Sequence, residues 1–278
     1  MRHAEPEAAR PAHGGAAGIS AVAVIPARIG STRLPRKMLL AETGVPLFVH
    51  TARAVASCPA IARVIVATDD DEIMAAARKH EVEALMTSAA HQSGTDRVHE
   101  AVQTLGEADF DVVLNVQGDE PDVAPEDLAA LVASFADETV EMASLWAPIE
   151  DPADLESRSV VKLVLDVNGD ALYFSRAPIP DAGHARSGSR VPPARRHIGV
   201  YAFRPAALAR FCSLAPSTLE CVENLEQLRW LEAGGRLRVL PASRRPRGID
   251  TAKDYAEFVH RTSPSPDSQP PDSHSART

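Results

Sequence analysis

The sequence predicts an α/β fold with a doubly wound, mostly parallel sheet whose two faces are covered by helices. Three short apolar runs carry this prediction, since buried parallel strands are typically continuous stretches of aliphatic residues. The runs are Val22–Ile25, Val64–Ala67 and Val112–Val116. Helical patterns separate them, and this alternation of strand and helix is typical of βαβ units.

The helices of the first half begin at a proline or at a short polar residue, the types that favour a helix N-terminus. Their expected bounds are Pro46 to about Ser57, Asp69 or Asp70 to Lys79, Ser93 or Thr95 to about Leu105, and Pro125 to Phe135.

After residue 140 the pattern changes. Two strand-like segments, Val160–Asp166 and Ala171–Ser175, flank the dipeptide Asn168-Gly169, which predicts an inserted β-hairpin. Further elements are expected as strands at His197–Phe203 and Leu237–Leu240, a long helix over Thr218–Ala233 that Gly234-Gly235 stops, and a last helix opened by a capping box of Thr251 and Asp254.

The two ends of the chain are interpreted as disordered. Residues 1–20 lack the apolar stretch of a signal peptide and form a predicted leader. Residues 263–278 are rich in Ser, Pro and Asp and form a predicted tail. Residues 21–262 are then expected to form a single domain, in which about 140–205 is a distinct subregion.

The composition excludes several classes of protein. The formal net charge is -9, whereas dedicated nucleic-acid binders usually carry a basic surplus. Cys58, Cys212 and Cys221 include no Cys-x-x-Cys pair, so neither a disulfide framework nor a structural zinc site is expected. Reduced cysteines favour a cytoplasmic protein, and the apolar runs are too short to span a bilayer.

A cationic loop follows the first predicted strand, and no acidic residue occurs between residues 8 and 41. The loop contains Gly30 and Ser31, whose backbone N–H groups suit phosphate oxygens. It indicates capture of a polyanion such as a nucleoside triphosphate; a solvated basic surface loop is the alternative. It matches neither the Walker A motif nor the dinucleotide fingerprint. The four cations are Arg28, Arg33, Arg36 and Lys37.

Two carboxylates, Asp119 and Glu120, follow the third strand, and ligands of open α/β sheets bind at the carboxyl ends of strands. Asp119 is a candidate Mg²⁺ ligand, because Mg²⁺ binds carboxylates together with phosphate oxygens. A turn with solvated acids is the alternative. Asp250, taken alone, is interpreted as an Asp near a helix N-cap. Sequence spacing does not show whether it meets Asp119.

Other polar residues are ambiguous on local sequence. Ser93 and Thr95 either start a helix or, with the amides of that helix N-terminus, bind a base or ribose. His197 and Tyr201 would face the same side of a strand. They and three more residues, Arg176, Glu226 and Gln227, would be classed as structural on local sequence alone.

Taken together, the motifs resemble one family, 3-deoxy-manno-octulosonate (Kdo) cytidylyltransferase, also called CMP-Kdo synthetase. The similarity covers about residues 21–260, and the motifs fall in the order of the family. They are Ile25–Arg28, Ser31–Pro35, Ala67–Asp69, His91–Arg97, Asn115–Pro121, Ala171–Arg176, Arg196–Tyr201, Leu225–Arg229 and Gly248–Thr251.

The resemblance implies a sheet of the nucleotide-diphospho-sugar transferase type and the reaction CTP + Kdo → CMP-Kdo + pyrophosphate. It implies Mg²⁺ as cofactor, a cytoplasmic homodimer formed through the hairpin region, and a role in lipopolysaccharide synthesis. Neither nucleic acid nor membrane is implied as a partner.

The family also assigns residues. Lys37, Asp119 and Asp250 would be catalytic, the two aspartates as metal ligands. CTP would be bound by Arg28, Ser31, Arg33, Lys37, Ser93 and Gly94. Kdo would be bound by Gln117, Arg176, His197, Tyr201, Glu226 and Gln227.

The sequence departs from the family in two places. Arg36 and Met38 stand where many relatives have Gly and Pro around the lysine, so the loop loses a flexible residue and gains a charge. The Arg-rich stretch at 181–196 also matches poorly.

Three other functions stay open. The first is a cytidylyltransferase for another acidic sugar, sialic acid or 8-amino-Kdo. The second is a glycosyltransferase whose metal motif would be Asp69-Asp70-Asp71, and the third is a non-catalytic nucleotide sensor.

Overall fold

The computed structural model describes residues 18–31, 33–106, 109–181, 183–184 and 193–262. Its strands are β1 (Ala21–Ala27), β2 (Arg63–Thr68), β3 (Ala84–Met86), β4 (Val112–Asn115), β5 (Met142–Pro148), β6 (Lys162–Leu165), β7 (Ala171–Ser175), β8 (Arg195–Phe203) and β9 (Arg238–Pro241). Its α-helices are α1 (Leu47–Ala56), α2 (Asp71–Lys79), α3 (Gly94–Leu105), α4 (Pro125–Ser134), α5 (Pro152–Glu156), α6 (Pro205–Ser213), α7 (Thr218–Glu223), α8 (Gln227–Glu232) and α9 (Ala252–Thr262).

The strands form one sheet with the order β3-β2-β1-β4-β8-β5-β9. β1 pairs in parallel with β2 and β4, β2 with β3, and β5 with β9, whereas β8 runs antiparallel between β4 and β5. The predicted fold class is therefore confirmed as a mostly parallel α/β sheet. The carboxyl ends of β1, β2 and β4 lie at one edge, where the loops of interest begin.

The two faces of the sheet bury separate apolar layers, because successive residues of a strand point to opposite sides. In β1, Ala23 and Ile25 pack with helices α1, α2 and α4, whereas Val22 and Val24 pack with α3, α6 and α8. Residues of β1 are buried on both faces, which explains why the strand is an uninterrupted apolar run.

The hairpin predicted around Asn168-Gly169 is present. β6 pairs antiparallel with β7, and Gly169 adopts φ 85°, a conformation that favours glycine. β6 also pairs with β8, so the hairpin extends the sheet at the side of β8. The capping box of the last helix is also confirmed, since Thr251 N donates to Asp254 Oδ2 at 2.8 Å and Asp254 N donates to Thr251 Oγ1 at 3.2 Å.

The prediction of one long helix over Thr218–Ala233 is wrong, because two short helices, α7 and α8, occupy this range. Asn224 adopts a left-handed conformation, φ 54° and ψ 53°, and ends α7. Asparagine tolerates this conformation better than most residues. Helix α8 then starts after Glu226, whose carboxyl group accepts a hydrogen bond from Thr95 of α3.

Four elements were not predicted: β3, β5, α5 and α6. β3 has three residues, too few for a pattern. Pro152 and Pro205 stand at the starts of α5 and α6 and carry the same signal as Pro125, so these helices were recognisable. Residues 1–17 of the predicted leader, the whole predicted tail and most of the Arg-rich stretch lie outside the described residues. In the described part, no helix combines the length and apolarity needed to cross a bilayer.

Candidate active site

A cavity of about 700 Å³ opens at the carboxyl ends of β1 and β4. All residues predicted to bind nucleotide or metal line it, and so does Gln117, whereas the other predicted sugar residues do not. The lining residues are Pro26, Ala27, Arg28, Gly30, Ser31, Arg33, Lys37, Met38, His91, Gln92, Ser93, Gly94, Arg97, Gln117, Asp119 and Asp250.

Lys37 is the centre of this site. Its ammonium donates to Asp119 Oδ2, to Asp250 Oδ1 at 3.3 Å and to the carbonyl oxygen of Ile249 at 3.1 Å. The Lys37 residue is 9% exposed, so the charge needs these acceptors. The two aspartates converge on one point from distant parts of the chain, and both carboxylates share one cation.

The segment that carries Asp250 is held against the β4 loop by its backbone. Ile249 N donates to the carbonyl oxygen of Asp119 at 2.9 Å. Gly248 lies so close to Glu120 that an added Cβ would be 2.7 Å from Glu120 Oε1. A side chain at this position would therefore displace the Glu120 carboxyl group, which lies beside Asp119.

A small apolar cluster also holds the Asp250 segment in place. Ile249 is buried with Leu47, Tyr255 and Phe258, and Leu34 of the cationic loop packs against them. Helix α9, the start of α1 and the loop are thus joined at one place. This packing explains why residues so far apart in sequence meet at Lys37.

Glu120 has an unusual environment beside this centre. Its Oε2 is buried and has no hydrogen-bond partner among the described residues. Burial, followed by the charges of Asp119 and Asp250, raises the pKa of Glu120 to about 8. No role was predicted for Glu120, although it lies in the same motif as Asp119.

Some cations of the cationic loop are paired with carboxylates, and one is not. Arg33 Nη1 pairs with Asp250 Oδ2 at 3.1 Å. Arg28 is exposed, faces the cavity and makes no hydrogen bond or ion pair with any described residue. Ser31 Oγ accepts from Leu34 N at 3.4 Å and shapes the turn. Arg28 is therefore available to an anion, whereas Arg33 and Lys37 already compensate the aspartates.

The departure from the family motif at Arg36 and Met38 has a structural explanation. Arg36 adopts φ 55° and ψ 26°, a left-handed conformation that glycine adopts most readily. Its guanidinium leaves the cavity and pairs with Glu72 of α2 at 3.2 and 2.5 Å. Met38 is buried, and a Cβ at Gly118 would lie 3.0 Å from its Sδ. The loop is anchored to α2 by Arg36 and packed on the β4 loop by Met38.

The N-terminus of α3 forms another wall. Ser93 is the N-cap, and its Oγ accepts from Asp96 N at 3.1 Å. Gly94 lies against Pro26, whose Cγ would be 3.2 Å from an added Cβ. Backbone N–H groups at a helix N-terminus suit acceptor atoms of a ligand. The prediction that Ser93 starts a helix is confirmed.

The acidic triplet at the end of β2 serves the fold. Asp69 Oδ2 pairs with the buried Arg97 at 3.0 Å. Asp70 caps α2 by accepting from Glu72 N at 2.9 Å and from Ile73 N at 3.1 Å. With Asp69 and Asp70 committed in this way, the triplet gives no support to a glycosyltransferase metal motif. Arg97 was not assigned from the sequence, although it lies in the same motif as Ser93.

Apart from Gln117, the predicted sugar residues are not part of the cavity lining. Gln117 Nε2 donates to Asn115 Oδ1 at 3.2 Å, and Asn115 is the cross-strand partner of Tyr201. Tyr201 and His197 are in ring contact at 5.4 Å. His197 Nε2 lies 2.8 Å from Ser144 Oγ, and burial lowers the pKa of His197 to about 3.

Arg176, Glu226 and Gln227 complete this group. Arg176 donates to the carbonyl oxygens of Glu223, Asn224 and Arg158, at 2.8, 3.1 and 3.0 Å, so it closes the C-terminus of α7. Glu226 Oε1 accepts from Thr95 Oγ1 at 2.6 Å, and burial raises the pKa of Glu226. Gln227 is buried, and its Nε2 has no hydrogen-bond partner in the described part of the chain.

The carboxylates of Asp119 and Asp250 suit a hard divalent cation. Both already accept from the Lys37 ammonium, which marks a point that a cation can share between them. Within the described residues no group of three or more His, Cys, Asp or Glu side chains is arranged to hold a metal. Mg²⁺ is commonly held by one or two carboxylates with substrate phosphates, and two aspartates at a phosphate-binding loop fit that pattern.

Comparison with known proteins gives consistent results. A family model described as Cytidylyltransferase matches residues 22–239. A 3-deoxy-manno-octulosonate cytidylyltransferase from Nitratidesulfovibrio vulgaris (strain DP4) is 47% identical over 237 residues, which are 85% of this chain and 94% of the relative. One from Neisseria gonorrhoeae (strain NCCP11945) is 43% identical over 239 residues, 84% of this chain and 94% of the relative.

A solved structure agrees with these relatives. CMP:2-keto-3-deoxy-manno-octonic acid synthetase complexed with CTP is 36% identical, with a TM-score of 0.80, over 87% of this chain and 98% of that one. The resemblance drawn from the motifs is thereby confirmed. The chain belongs to the cytidylyltransferase family and, within it, to the 3-deoxy-manno-octulosonate cytidylyltransferases.

Proposed function

We propose that the protein transfers CMP from CTP to the anomeric hydroxyl of Kdo, with release of pyrophosphate. The observation that carries this proposal is the convergence of Lys37, Asp119 and Asp250 in a cavity bordered by the cationic loop. The names of relatives that are 43–47% identical support the same substrates.

CTP is proposed to bind along the cavity from α3 to the cationic loop. Arg28, Arg33 and Lys37 bind phosphate oxygens, together with the backbone N–H of Ser31. At the other end, Ser93 and Gly94 at the start of α3 contact the cytosine. The availability of Arg28 supports this arrangement, because an exposed cation without a partner lines the cavity.

Asp119 and Asp250 are proposed to hold Mg²⁺. When bound, Mg²⁺ supplies neutralising charge to the α-phosphate and orients the attacking hydroxyl. The protein then has to give up part of its present charge pairing. Lys37 and Arg33 exchange a carboxylate for phosphate oxygens, and both cations are then placed to stabilise charge on the departing pyrophosphate.

The chemical step is an in-line displacement. The anomeric oxygen of the sugar forms a bond to the α-phosphorus, and the bond from that phosphorus to the bridging oxygen of the pyrophosphate breaks. The hydroxyl proton passes to solvent water, and the electrons of the broken bond leave with the pyrophosphate. No covalent intermediate with a residue is required, since transfers of this kind depend mainly on positioning and charge stabilisation.

Kdo is proposed to bind beside Gln117, with the group formed by Arg176, His197, Tyr201, Glu226 and Gln227 around it. The unpartnered Nε2 of Gln227 supports this proposal, because a buried donor of this kind gains a hydrogen bond when an acceptor arrives. Gln117 joins the two regions, since it lines the cavity and also bonds to Asn115.

The wider context is proposed from the same family membership. The product would serve lipopolysaccharide synthesis in the cytoplasm of a Gram-negative bacterium. The free state of Cys58, Cys212 and Cys221 agrees with a reducing compartment. The catalytic unit is proposed to comprise residues 21–262. A homodimer through the β6–β7 hairpin is supported by Val167 and Leu172, which are 100% and 62% exposed there.

A coupled assay of pyrophosphate release tests the function. CTP, UTP and ATP are each combined with Kdo, 8-amino-Kdo or sialic acid in the presence of Mg²⁺. We expect release with CTP and Kdo. Release with another of these sugars only would replace Kdo by that sugar. Tight CTP binding without release in any combination would favour a nucleotide sensor.

A further inference from the structure

A chain of three hydrogen bonds runs from the cavity wall to α8. Gln117 Nε2 donates to Asn115 Oδ1 at 3.2 Å, Asn115 Nδ2 donates to Thr95 Oγ1 at 3.2 Å, and Thr95 Oγ1 donates to Glu226 Oε1 at 2.6 Å. Asn115 is 0% exposed and Thr95 1%, so bulk water does not compete for the two inner residues. The chain joins β4, α3 and the start of α8, and neither Asn115 nor Thr95 has a role in the proposed function.

The direction of every bond in this chain follows from its last member. Thr95 Oγ1 donates to Glu226 Oε1 in the structure, and a hydroxyl carries a single proton, so this proton is not available to Asn115. Thr95 Oγ1 then has to accept from Asn115, which turns the Asn115 amide group toward it. The Asn115 carbonyl oxygen is thereby directed to Gln117 and accepts from its Nε2.

The outer end of the chain is the amide of Gln117, which lines the cavity. One of the two N–H groups of its Nε2 is donated to Asn115, and its Oε1 has no hydrogen-bond partner among the described residues. With the chain in this direction, Gln117 offers a carbonyl oxygen to a bound molecule. A carbonyl oxygen attracts a neutral O–H or N–H donor and repels carboxylate and phosphate oxygens.

We infer that Glu226, acting through Thr95 and Asn115, orients the Gln117 amide so that its Oε1 accepts a hydrogen bond from a neutral donor of a substrate. Thr95 and Asn115 are then positioning residues. The inference rests on the proposed function, whose substrates provide two such donors: hydroxyl groups of the sugar and the amino group of cytosine. The break between α7 and α8 serves this chain, because it places Glu226 at Thr95.

Thr95→Val tests the chain, because valine keeps the shape of threonine and removes the hydroxyl. We expect a rise in the KM for one substrate of about 3- to 10-fold, the loss of one oriented hydrogen bond, with little change in kcat. A rise in the KM for Kdo identifies a sugar hydroxyl as the donor. A rise in the KM for CTP, together with a weaker preference of the variant for CTP over UTP, identifies the cytosine amino group as the donor. Thr95→Ser should restore the wild-type KM.

A double-mutant cycle with Gln117→Met separates orientation from general damage. Alone, Gln117→Met should raise the same KM; added to Thr95→Val, it should have little further effect, because the acceptor is already misdirected. Thr104→Val is the matched control, since Thr104 lies on the same helix and its hydroxyl bonds to the backbone oxygen of Glu100. If Thr95→Val does not fold, Glu226→Gln takes its place in the cycle, because an amide removes the constraint on direction.

Additive effects of the two substitutions would overturn the inference, and so would unchanged KM values for both substrates in a folded Thr95→Val protein. These outcomes differ from a failure of the proposed function itself. In that case the wild-type protein would release no pyrophosphate with Kdo, whatever the variants do.

Discussion

The ammonium of Lys37 lies 3.3 Å from Oδ1 of Asp250, although 213 residues separate them in the chain. The same ammonium contacts Asp119, and Arg33 reaches Asp250 from the other side. The protein thus holds the two carboxylates together with its own cations. A metal ion or a triphosphate that enters this site meets groups that are already paired, so binding is an exchange of partners.

Removing the Asp119 carboxylate should stop the reaction without unfolding the protein. Asp119→Asn keeps the volume but loses the negative charge proposed to hold Mg²⁺. We expect kcat to fall by about 10²-fold or more, the scale of losing one strong electrostatic contribution in a transition state. Pyrophosphate release measures the effect, and Asp71→Asn, in the exposed first turn of α2, is the control. Turnover close to wild type would remove Asp119 from the catalytic residues.

Removing the Lys37 charge should make the protein respond more strongly to Mg²⁺ alone. Lys37→Met leaves Asp119 and Asp250 without their shared cation, so stability without metal should fall by about 1–3 kcal/mol. At tenfold the Kd of the variant, Mg²⁺ should then add about 1.4 kcal/mol to the stability of the variant. The same Mg²⁺ concentration should stabilise the wild type less, because Lys37 competes with the metal. Thermal unfolding with and without Mg²⁺ tests this, with the exposed Lys253→Met as control. Equal responses of variant and wild type would show that Lys37 does not compete with the metal.

A methyl group at residue 248 should disturb the packing of Glu120 beside the two aspartates. The Cβ of Gly248→Ala would lie 2.7 Å from Glu120 Oε1, whereas an added Cβ at Gly199 meets nothing within 4 Å. We expect Gly248→Ala to lose about 1–3 kcal/mol of stability and part of its activity, because the methyl group overpacks the Glu120 carboxyl group, whose Oε2 is buried beside the site. Gly199→Ala should remain within about 0.5 kcal/mol of wild type. Urea unfolding and the pyrophosphate assay measure both; similar behaviour of the two variants would refute the explanation.

Glycine at residue 36 should leave the stability of the protein nearly unchanged, although it removes an ion pair. Arg36→Gly relieves a left-handed conformation that costs about 1 kcal/mol for a residue with a Cβ. It also removes an exposed pair with Glu72, whose contribution to stability is small because solvent screens it. The two terms nearly cancel, so the midpoint of thermal unfolding should hardly move. A loss of several degrees would mean that the pair with Glu72 anchors the loop more strongly than its exposure indicates.

His197 should make the fold sensitive to acid. Burial lowers its pKa from 6.5 to about 3, so the unfolded chain binds a proton more readily than the folded protein between these values. The contribution of neutral His197 to the free energy of unfolding is therefore fully present above pH 6.5. It is lost as the pH falls toward 3, by up to about 1.4 kcal/mol per pH unit. His197→Gln should flatten the dependence of the unfolding free energy between pH 5 and 6.5. Parallel curves for both proteins would contradict this.

Much of the fold was predictable because it depends on local patterns. β1 is buried on both faces and is therefore an apolar run, and Ser93, Asp70 and Pro125 mark helix starts by their own chemistry. The helix break at Asn224 was not predictable in this way. Its left-handed backbone is stabilised by surroundings that include the Arg176 guanidinium on the Asn224 carbonyl oxygen, 48 residues away.

The site shows the same division. The sequence alone determined the cationic loop, the carboxylates after β4 and, through the order of motifs, the family. The tertiary structure decided that Asp250 joins Asp119 at Lys37, that Arg36 turns away to Glu72, and that Thr95 links Gln117 to Glu226. Charge and helix-capping preferences act over a few residues, so they can be recognised from the local sequence. Which carboxylates share a cation depends on long-range packing, here on the apolar contacts of Ile249 with Leu47 and Phe258.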